Sequence, residues 1–455
     1  MKKLLCTASA LAALYSGEVA AQRVAGSVFL KGQFVEVGTH TTGAFGAGAA
    51  PPAGYHLGPG MARLGFVSDP DQDGWLVSAP GRTAYMGDYF VPGSPFEGWE
   101  LEINGTKRRN HASGMASADI AMTSSSYTTS ATEDVATWTG STGGIDITQR
   151  VVLKKNKVYF VIYVDLVNSG ATTLNNIYYY RGLDPDNEQN WSGSFNTKNT
   201  IVYQPNSISK NCLVTATGIT YGTFAYLGLG TKDCRAKCFQ PEPDWFPGSL
   251  AQTYAGTGAE AGNRYNVGWT TPFAGGADDA IGMVWNLGSL APGQSTSLAF
   301  TYILKQADLD SALSETAPKF ESDGVPYAPY TTFRVCPRKT VALSIANGGQ
   351  YRWIWTASDT PHYMTAVGSA TLVPPGGTVP TVTGSKTFPK GAVYGDSIEV
   401  TVMGPKAYTA TGYSNCDTQY LTFYVDTISF AVPPSVVSPV RYCEGAAAAA
   451  LTAGA

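Results

Sequence analysis

Short segments in which apolar and polar residues alternate recur along the chain, and clusters of Gly, Pro, Asn and Asp separate them. Such alternation is typical of β-strands that bury one face. The segment 158–164 (VYFVIYV) is apolar at every position, which indicates a strand buried on both faces. In the segment 298–304 (LAFTYIL), every second residue is large and apolar. We therefore expect an all-β protein.

The same pattern divides the chain into a large sandwich and a smaller one. Only the segment 306–316 has a helical pattern, with Leu309 and Leu313 four residues apart. The next segment, 317–330, holds three prolines and no periodicity, which favours a linker. We predict a signal peptide over residues 1–21, a large β-sandwich (single, double or super-sandwich) over 22–305, a short helix and Pro-rich linker over 306–331, an Ig-like β-sandwich over 332–435, and a linker with the truncated start of another Ig-like domain over 436–455.

The first 21 residues have the pattern of a secretory signal peptide. Lys2 and Lys3 precede a short apolar run over residues 4–14, and small residues at 19–21 offer a cleavage site before Gln22. No later segment has the roughly 18 consecutive apolar residues of a membrane-spanning helix. We therefore expect export, an extracellular or outer-cell-surface location and no transmembrane segment.

Composition narrows the choice of partners. Charged residues are only 14% of the chain, the formal net charge is −4, and no basic run occurs. These values exclude the usual nucleic-acid-binding proteins. An extracellular glycan or a surface protein is the expected partner, and self-assembly is left open.

The second half of the chain has an immunoglobulin-like signature. Cys336, a Trp-rich strand and Cys416 follow one another, which is the pattern of two sheets pinned by a disulfide across their core. We expect Cys336 and Cys416 to be bonded. We also expect one of Trp353 and Trp355 to pack on this bond and the other to face outward.

Three further cysteines, Cys212, Cys234 and Cys238, lie in the large sandwich. An exported chain meets an oxidising compartment, where pairing is the default. We expect one bond from Cys212 to either Cys234 or Cys238, and the sequence does not choose between them. A zinc site is disfavoured, because no His lies near the C-x3-C spacing of Cys234 and Cys238.

Residues 335–358 (VCPRKTVALSIANGGQYRWIWTAS) and 407–416 (AYTATGYSNC) resemble the Ig-like and PKD-like repeats of type IX-secreted surface proteins of gliding Gram-negative bacteria. Such proteins often carry a gliding-motility-associated C-terminal domain. Residues 440–453 (VRYCEGAAAAALTA) resemble the opening strand of a further Ig-like module, while 32–38 and 181–191 resemble a recurrent N-terminal surface domain. The resemblance implies the N-terminal part of a longer surface protein. In a departure from the family, the sequence has no type IX sorting domain.

Two acidic clusters are candidate calcium sites. Asp69, Asp71 and Asp73, followed by Gly74, match positions 1, 3, 5 and 6 of a calcium loop, although Pro80 stands where the loop's last Glu would be. A second cluster repeats the Asp-Pro-Asp core and consists of Asp184, Asp186 and Glu188. Asp beside Pro is also ordinary turn chemistry, which for both clusters favours turns without an ion over calcium.

Catalytic motifs are lacking. The sequence contains no H-E-x-x-H and no G-x-S-x-G, so we predict a non-catalytic secreted or cell-surface protein with a structural or adhesive role. The alternative is a carbohydrate-binding or polysaccharide-active protein, in which the acids of the second cluster act as a glycosidase pair. In that case Trp99 and Trp191 are the candidates for stacking on sugars, although aromatic residues on strands more often fill cores.

Overall fold

The computed structural model describes residues 21–75, 87–112, 118–206, 210–240, 247–257, 263–328, 330–358, 364–367, 370–373, 378–381, 384–387, 391–414 and 417–428. The predicted signal peptide, apart from Ala21, lies outside these residues. So do the predicted C-terminal segment 436–455 and Cys416. No helix in the described part of the chain has the length and apolar character needed to cross a membrane.

The first sandwich is formed by three antiparallel sheets. Its strands, among the described residues, are β1 (Gln22–Val24), β2 (Ser27–Lys31), β3 (Val35–Gly38), β4 (Phe66–Ser68), β5 (Glu97–Ile103), β6 (Thr106–His111), β7 (Met122–Thr129), β8 (Glu133–Thr142), β9 (Ile145–Lys154), β10 (Tyr159–Asn168), β11 (Leu174–Leu183), β12 (Thr197–Tyr203), β13 (Cys212–Gly218), β14 (Tyr226–Thr231), β15 (Ala236–Phe239), β16 (Ile281–Leu290) and β17 (Ser295–Ile303). The sheet orders are β1-β2-β3-β4, β12-β13-β14-β17-β10-β9-β8-β7 and β15-β16-β11-β5-β6.

Helices are short and few in the described residues. They are α1 (Gln189–Ser192), α2 (Leu250–Ala255) and α3 (Leu309–Glu315), with single 3-10 turns at Gly222–Phe224, Asn263–Tyr265 and Gln306–Asp308. The predicted helix over 306–316 is confirmed. Leu313 and Ala312 of α3 pack against Tyr159 and Leu213, so this helix belongs to the first sandwich.

The second sandwich has two principal sheets among the described residues, with the orders β19-β18-β21-β28-β23 and β20-β30-β29-β22-β27-β24, and a separate β25-β26 pair. Its described strands are β18 (Lys319–Ser322), β19 (Val325–Tyr327), β20 (Thr332–Val335), β21 (Thr340–Ala346), β22 (Arg352–Ala357), β23 (Met364–Ala366), β24 (Thr371–Leu372), β25 (Thr378–Thr381), β26 (Gly384–Thr387), β27 (Val393–Tyr394), β28 (Ser397–Thr401), β29 (Lys406–Tyr413) and β30 (Thr418–Thr427). The expected all-β class, a large sandwich followed by an Ig-like one, is confirmed.

Two expectations about the second sandwich differ from the structure. The segment expected to be a linker forms the β18–β19 hairpin, and β18 pairs with β21, so it is part of a sheet. Trp353 and Trp355 are both buried in one core. Residues two apart on a strand share a face, so the expectation that one of them faces outward was wrong.

The core of the first sandwich contains a buried ion pair. Arg181 of β11 bonds Glu97 of β5, and neither side chain is exposed. The guanidinium carbon of Arg181 lies 4.7 Å from the ring centroid of Phe45 and 5.8 Å from that of Phe300. Glu97 also accepts hydrogen bonds from the Phe45 backbone N–H and from the Tyr302 hydroxyl, at 2.6 and 3.0 Å. The pair therefore ties two sheets and a loop together.

The two sandwiches touch at Gly349, in the turn before β22. A Cβ atom built on Gly349 would lie 2.3 Å from the backbone N of Ser297 in β17, so only glycine permits this approach. Arg235 clamps the contact by donating to the Gly349 carbonyl oxygen at 3.0 Å and to the Thr296 hydroxyl at 2.7 Å. The Cys234 backbone N–H donates to Gln350 Oε1 at 3.0 Å. The junction is therefore bonded on several sides.

Candidate metal centre

Three aspartates from two separate parts of the chain meet where β11 ends and β16 begins. Asp184 and Asp186 follow the last residue of β11, and Asp278 lies shortly before β16. Leu183 of β11 pairs with Ile281 of β16, so the end of one strand lies beside the start of the other. Antiparallel pairing thus brings together acids that are more than ninety residues apart in sequence.

The spacing of these acids suits a single ion. One carboxylate oxygen from each of Asp184, Asp186 and Asp278 lies within 4.8 Å of the others. Calcium binds its oxygen ligands at about 2.3–2.6 Å, so two ligands of one ion are at most about 5 Å apart. The three carboxylates are therefore close enough to share a cation.

The backbone of the Asp-Pro-Asp loop is fixed by neighbouring strands and loops. The Asp184 N–H donates to the Phe96 carbonyl oxygen at 3.0 Å, and the Asp186 N–H donates to the Tyr89 carbonyl oxygen at 2.7 Å. These bonds hold both side chains in position before any ligand arrives.

The two loop carboxylates are buried and incompletely bonded. Asp184 is 4% exposed and Asp186 is 2% exposed. The Oδ1 atom of each has no hydrogen-bond partner in the described part of the chain. Burying an unpaired carboxylate is costly, and the cost is relieved by a bound proton or a bound cation.

Burial raises the pKa of both groups. Desolvation, increased by the negative charge of Asp278, raises the pKa of Asp184 to about 8. Desolvation, increased by the charges of Asp184 and Asp278, raises the pKa of Asp186 to about 9. Burial also raises the pKa of the neighbouring Asp88 to about 7. At neutral pH the cluster therefore holds protons that a cation would displace.

Glu188, the third acid predicted for this site, points elsewhere. Its Oε1 and Oε2 atoms accept hydrogen bonds from the backbone N–H groups of Thr220 and Tyr221, at 2.8 and 2.9 Å. Its carboxylate therefore fixes the loop at residues 220 and 221. Asp278 takes the place expected for Glu188. The sequence signal for Asp278 is the acidic pair 278–279, which comes just before the apolar strand β16.

The other predicted cluster, in the loop after β4, is also assembled. Oxygens of Asp69, Asp71 and Asp73 lie within 4.8 Å of one another. Asp69 is buried, and its two carboxylate oxygens accept four backbone N–H groups, from residues 72, 73, 74 and 75. Gly74 has a φ of +94°, as the turn of a calcium loop requires. Asp71 Oδ1 has no hydrogen-bond partner among the described residues. Pro80, which stands at the last position of the predicted calcium loop, lies outside the described residues.

The predicted sugar-stacking residues do not form a binding surface. Trp99 is fully buried, stacks on Tyr179 and donates its indole N–H to the Thr42 carbonyl oxygen. Trp191 is partly buried and packs against the same core. The expectation for Trp99 was wrong, because its alternation with Leu101 places both on the core face of β5.

The cysteines are arranged differently from the expectation. Cys234 and Cys336 are both disulfide-bonded, and Cys416 lies outside the described residues. Cys212 and Cys238 are buried free thiols, so no bond joins Cys212 to Cys234. The Cys238 thiol is hydrogen-bonded to Cys212, and Gln204 Oε1 accepts from both residues. The structure therefore holds neither of the two bonds expected for Cys212, although its thiol lies beside that of Cys238.

Comparisons with known proteins give no family for this chain. No family model matches, and no curated protein matches. Among solved structures, a polysaccharide lyase is similar over 74% of this chain and 40% of its own, with 12% identity and a TM-score of 0.26. The galactosidase domain of an α-galactosidase-sucrose kinase covers 62% of this chain, with 9% identity and a TM-score of 0.25. A GH36 α-galactosidase from Geobacillus stearothermophilus covers the same share, with 9% identity and a TM-score of 0.23. The matched region spans about two fifths of each of these proteins.

Proposed function

We propose that this chain is an exported, non-catalytic protein of the cell surface whose large sandwich binds calcium and serves a structural or adhesive role. The observation that carries the proposal is the convergence of Asp184, Asp186 and Asp278, with two buried and unpaired Oδ1 atoms. A bound cation would neutralise these oxygens and fasten the end of β11 to the start of β16.

The ligand set selects the kind of ion. All three side chains offer hard carboxylate oxygens, which suit calcium and magnesium. Zinc favours nitrogen and sulfur ligands. Magnesium demands near-ideal octahedral geometry, whereas calcium accepts irregular sets of six to eight oxygens. A pair of acids from one loop with a third acid from a separate loop fits calcium better.

The rival role of these acids is glycosidase catalysis. A glycosidase places its two carboxyl groups on either side of a sugar bond in an open cleft. Asp184 and Asp186 are almost fully buried, so a glycosidic bond does not reach between them. Their burial therefore supports an ion-binding role for this cluster.

Calcium at 10 mM is expected to raise the free energy of unfolding by about 1.5–3 kcal/mol, since extracellular calcium sites commonly have dissociation constants of about 10⁻⁴–10⁻³ M.

Asp186→Asn is expected to weaken calcium binding by about tenfold or more, because one of the three charges is lost. The measurements are calcium titration calorimetry and urea unfolding in calcium and in EGTA.

The substitution has a built-in control for misfolding. In EGTA at pH 8.5, Asp186→Asn is expected to be at least as stable as the wild type, because a buried carboxyl that resists ionisation is removed. Asp146→Asn changes an exposed strand aspartate and should leave the calcium response unchanged. A wild type whose unfolding curve is the same in calcium and EGTA would refute the site.

Calcium affinity is expected to rise with pH between about 6 and 9. The pKa values of Asp184 and Asp186 are raised, so the folded, metal-free protein holds protons that the unfolded chain has released. These groups therefore favour folding most below about pH 4, and this contribution is lost as pH rises to about 9. Calcium must displace the protons, which strengthens apparent binding by about tenfold per pH unit for each proton displaced. Calorimetry at pH 6, 7 and 8 tests this, and a dissociation constant independent of pH would contradict it.

A further inference from the structure

Two cavities adjoin each other where the sandwiches meet. One has a volume of about 400 Å³ and the other of about 300 Å³. Both are lined by Thr296 of β17, by Gly349 and by Arg352 of β22. Together they form one groove, here called the junction groove, whose size falls within the range of small-molecule sites.

The groove is held open by the contacts that join the sandwiches. Gly349 lies against the backbone of Ser297, and Arg235 bonds the carbonyl oxygens of both residues. Arg235 also pairs with Asp233 at 2.7 Å. Since these groups bond one another, the walls of the groove are fixed before a ligand binds, which lowers the entropy cost of binding.

Arg352 is the unsatisfied cation of the groove. It is partly buried and lines both cavities, yet its guanidinium has no hydrogen bond or ion pair with any residue that the structure describes. Arg235, by contrast, bonds four groups. A half-buried guanidinium presents a fork of N–H donors that matches a carboxylate or a sulfate. Arg352 is therefore available to bind an anion.

The charges of the two cavities differ. The smaller cavity is lined by Arg235 and Arg352 and, among its described lining residues, by no acid. The larger cavity includes Arg150, which pairs with Asp165 at 3.2 Å, and the exposed Asp396. An anionic group is therefore favoured in the smaller cavity, and a neutral polar extension in the larger one.

The remaining lining is rich in hydroxyl and amide groups. In the smaller cavity, Ser289 is exposed, and Asn286 uses its Oδ1 for the Gly288 N–H, which leaves its amide donors available. Tyr254 and Tyr394 line the smaller and the larger cavity respectively. Amides and hydroxyls bond sugar hydroxyls, and tyrosine rings cover the apolar faces of sugars.

We propose that the junction groove binds an acidic oligosaccharide, with its carboxylate or sulfate on Arg352 and its neutral sugar units in the larger cavity. This site is separate from the three aspartates and does not depend on calcium. It assigns a ligand-binding role to the interface between the sandwiches, and so extends the adhesive role toward a class of glycan.

The test is calorimetric titration of the full chain with three probes at low and moderate salt. The probes are an oligogalacturonate, a sulfated oligosaccharide of similar length and a neutral oligosaccharide. Binding of the first or the second, at least tenfold tighter than that of the third, is the expected result. Whichever acidic probe binds identifies the anion as carboxylate or sulfate.

Arg352→Ala is expected to weaken binding of the acidic probe at least tenfold, because a charge-assisted bond is lost. Arg352→Lys should restore only part of the affinity, since the fork is lost and the charge is kept. Arg108→Ala, at an exposed arginine outside the groove, should bind like the wild type. Ser289→Trp fills the smaller cavity from an exposed position and should block binding even if Arg352 variants fold poorly.

Several outcomes would overturn the proposal. They are equal binding of the neutral probe, no binding of any probe, and binding of hexaglutamate as tight as that of the acidic sugar. Undiminished binding by both Arg352→Ala and Ser289→Trp would place the glycan elsewhere. None of these results depends on whether calcium binds at Asp186.

Discussion

Glu97→Gln is expected to lower the free energy of unfolding by about 3–5 kcal/mol, because it leaves Arg181 buried without a compensating charge. The amide also cannot satisfy its surroundings. Glu97 accepts from Arg181, from the Phe45 N–H and from the Tyr302 hydroxyl. A glutamine has one oxygen, so its NH₂ group must face the N–H of either Arg181 or Phe45. Urea unfolding, with the midpoint and slope both fitted, measures the loss.

The exposed ion pair of the same sandwich supplies a matched control. Arg150 and Asp165 bond across strands at 3.2 Å, but their side chains are 46% and 41% exposed. Asp165→Asn is therefore expected to cost less than about 1 kcal/mol. The double variant Glu97→Leu/Arg181→Met should be more stable than Glu97→Gln, because no charge is left buried. If Glu97→Gln and Asp165→Asn cost the same, the buried pair has no special role in stability.

A bond between Cys212 and Cys238 is expected when the chain folds in an oxidising medium. The two thiols lie side by side on β13 and β15, and both are buried. Closing the loop 212–238 should stabilise the fold by about 3–4 kcal/mol through the entropy of the unfolded chain. The comparison is urea unfolding of oxidised wild type against oxidised Cys212→Ala/Cys238→Ala, which leaves the disulfides of Cys234 and Cys336 in place.

The timing of oxidation is part of this prediction. Burial raises the pKa of the Cys238 thiol, and only the thiolate attacks a disulfide oxidant. Refolding in oxidised glutathione should therefore form the bond, whereas treatment of the folded, reduced protein should form it slowly. Mass spectrometry of a non-reduced digest detects the linked peptides. Both cysteines alkylated after oxidative refolding would contradict the pairing.

The strands were predictable from sequence because burial of one face forces an alternating pattern. The continuous apolar run 158–164 predicted β10 as a central strand, and the alternation in 298–304 predicted β17. Both strands lie in the centre of the eight-stranded sheet. The segment 317–330 misled for an identifiable reason. Its prolines suggested a linker, but Pro326 lies in β19, the edge strand of its sheet. An edge strand tolerates a residue without an N–H donor.

The candidate metal centre was only partly predictable. The Asp-Pro-Asp sequence identified Asp184 and Asp186, because both side chains come from one loop. Asp278 was not predicted as a ligand, because its position beside the other two depends on the pairing of β11 with β16. The local sequence pattern does not reveal that pairing. Glu188 was included by its spacing, but its side chain turns away to bond the loop at residues 220 and 221.

Gly349 has a consequence for the shape of the whole molecule. At Gly349 the backbones of the two sandwiches are as close as atoms permit. Any side chain at this position would push the two sandwiches apart. The resulting rotation of the second sandwich would displace its far end more than its near end. The lack of a methyl group at residue 349 is therefore one of the features that set the direction of the second sandwich. The relative orientation of the two sandwiches thus depends in part on one residue, as the direction of a turn depends on its glycine.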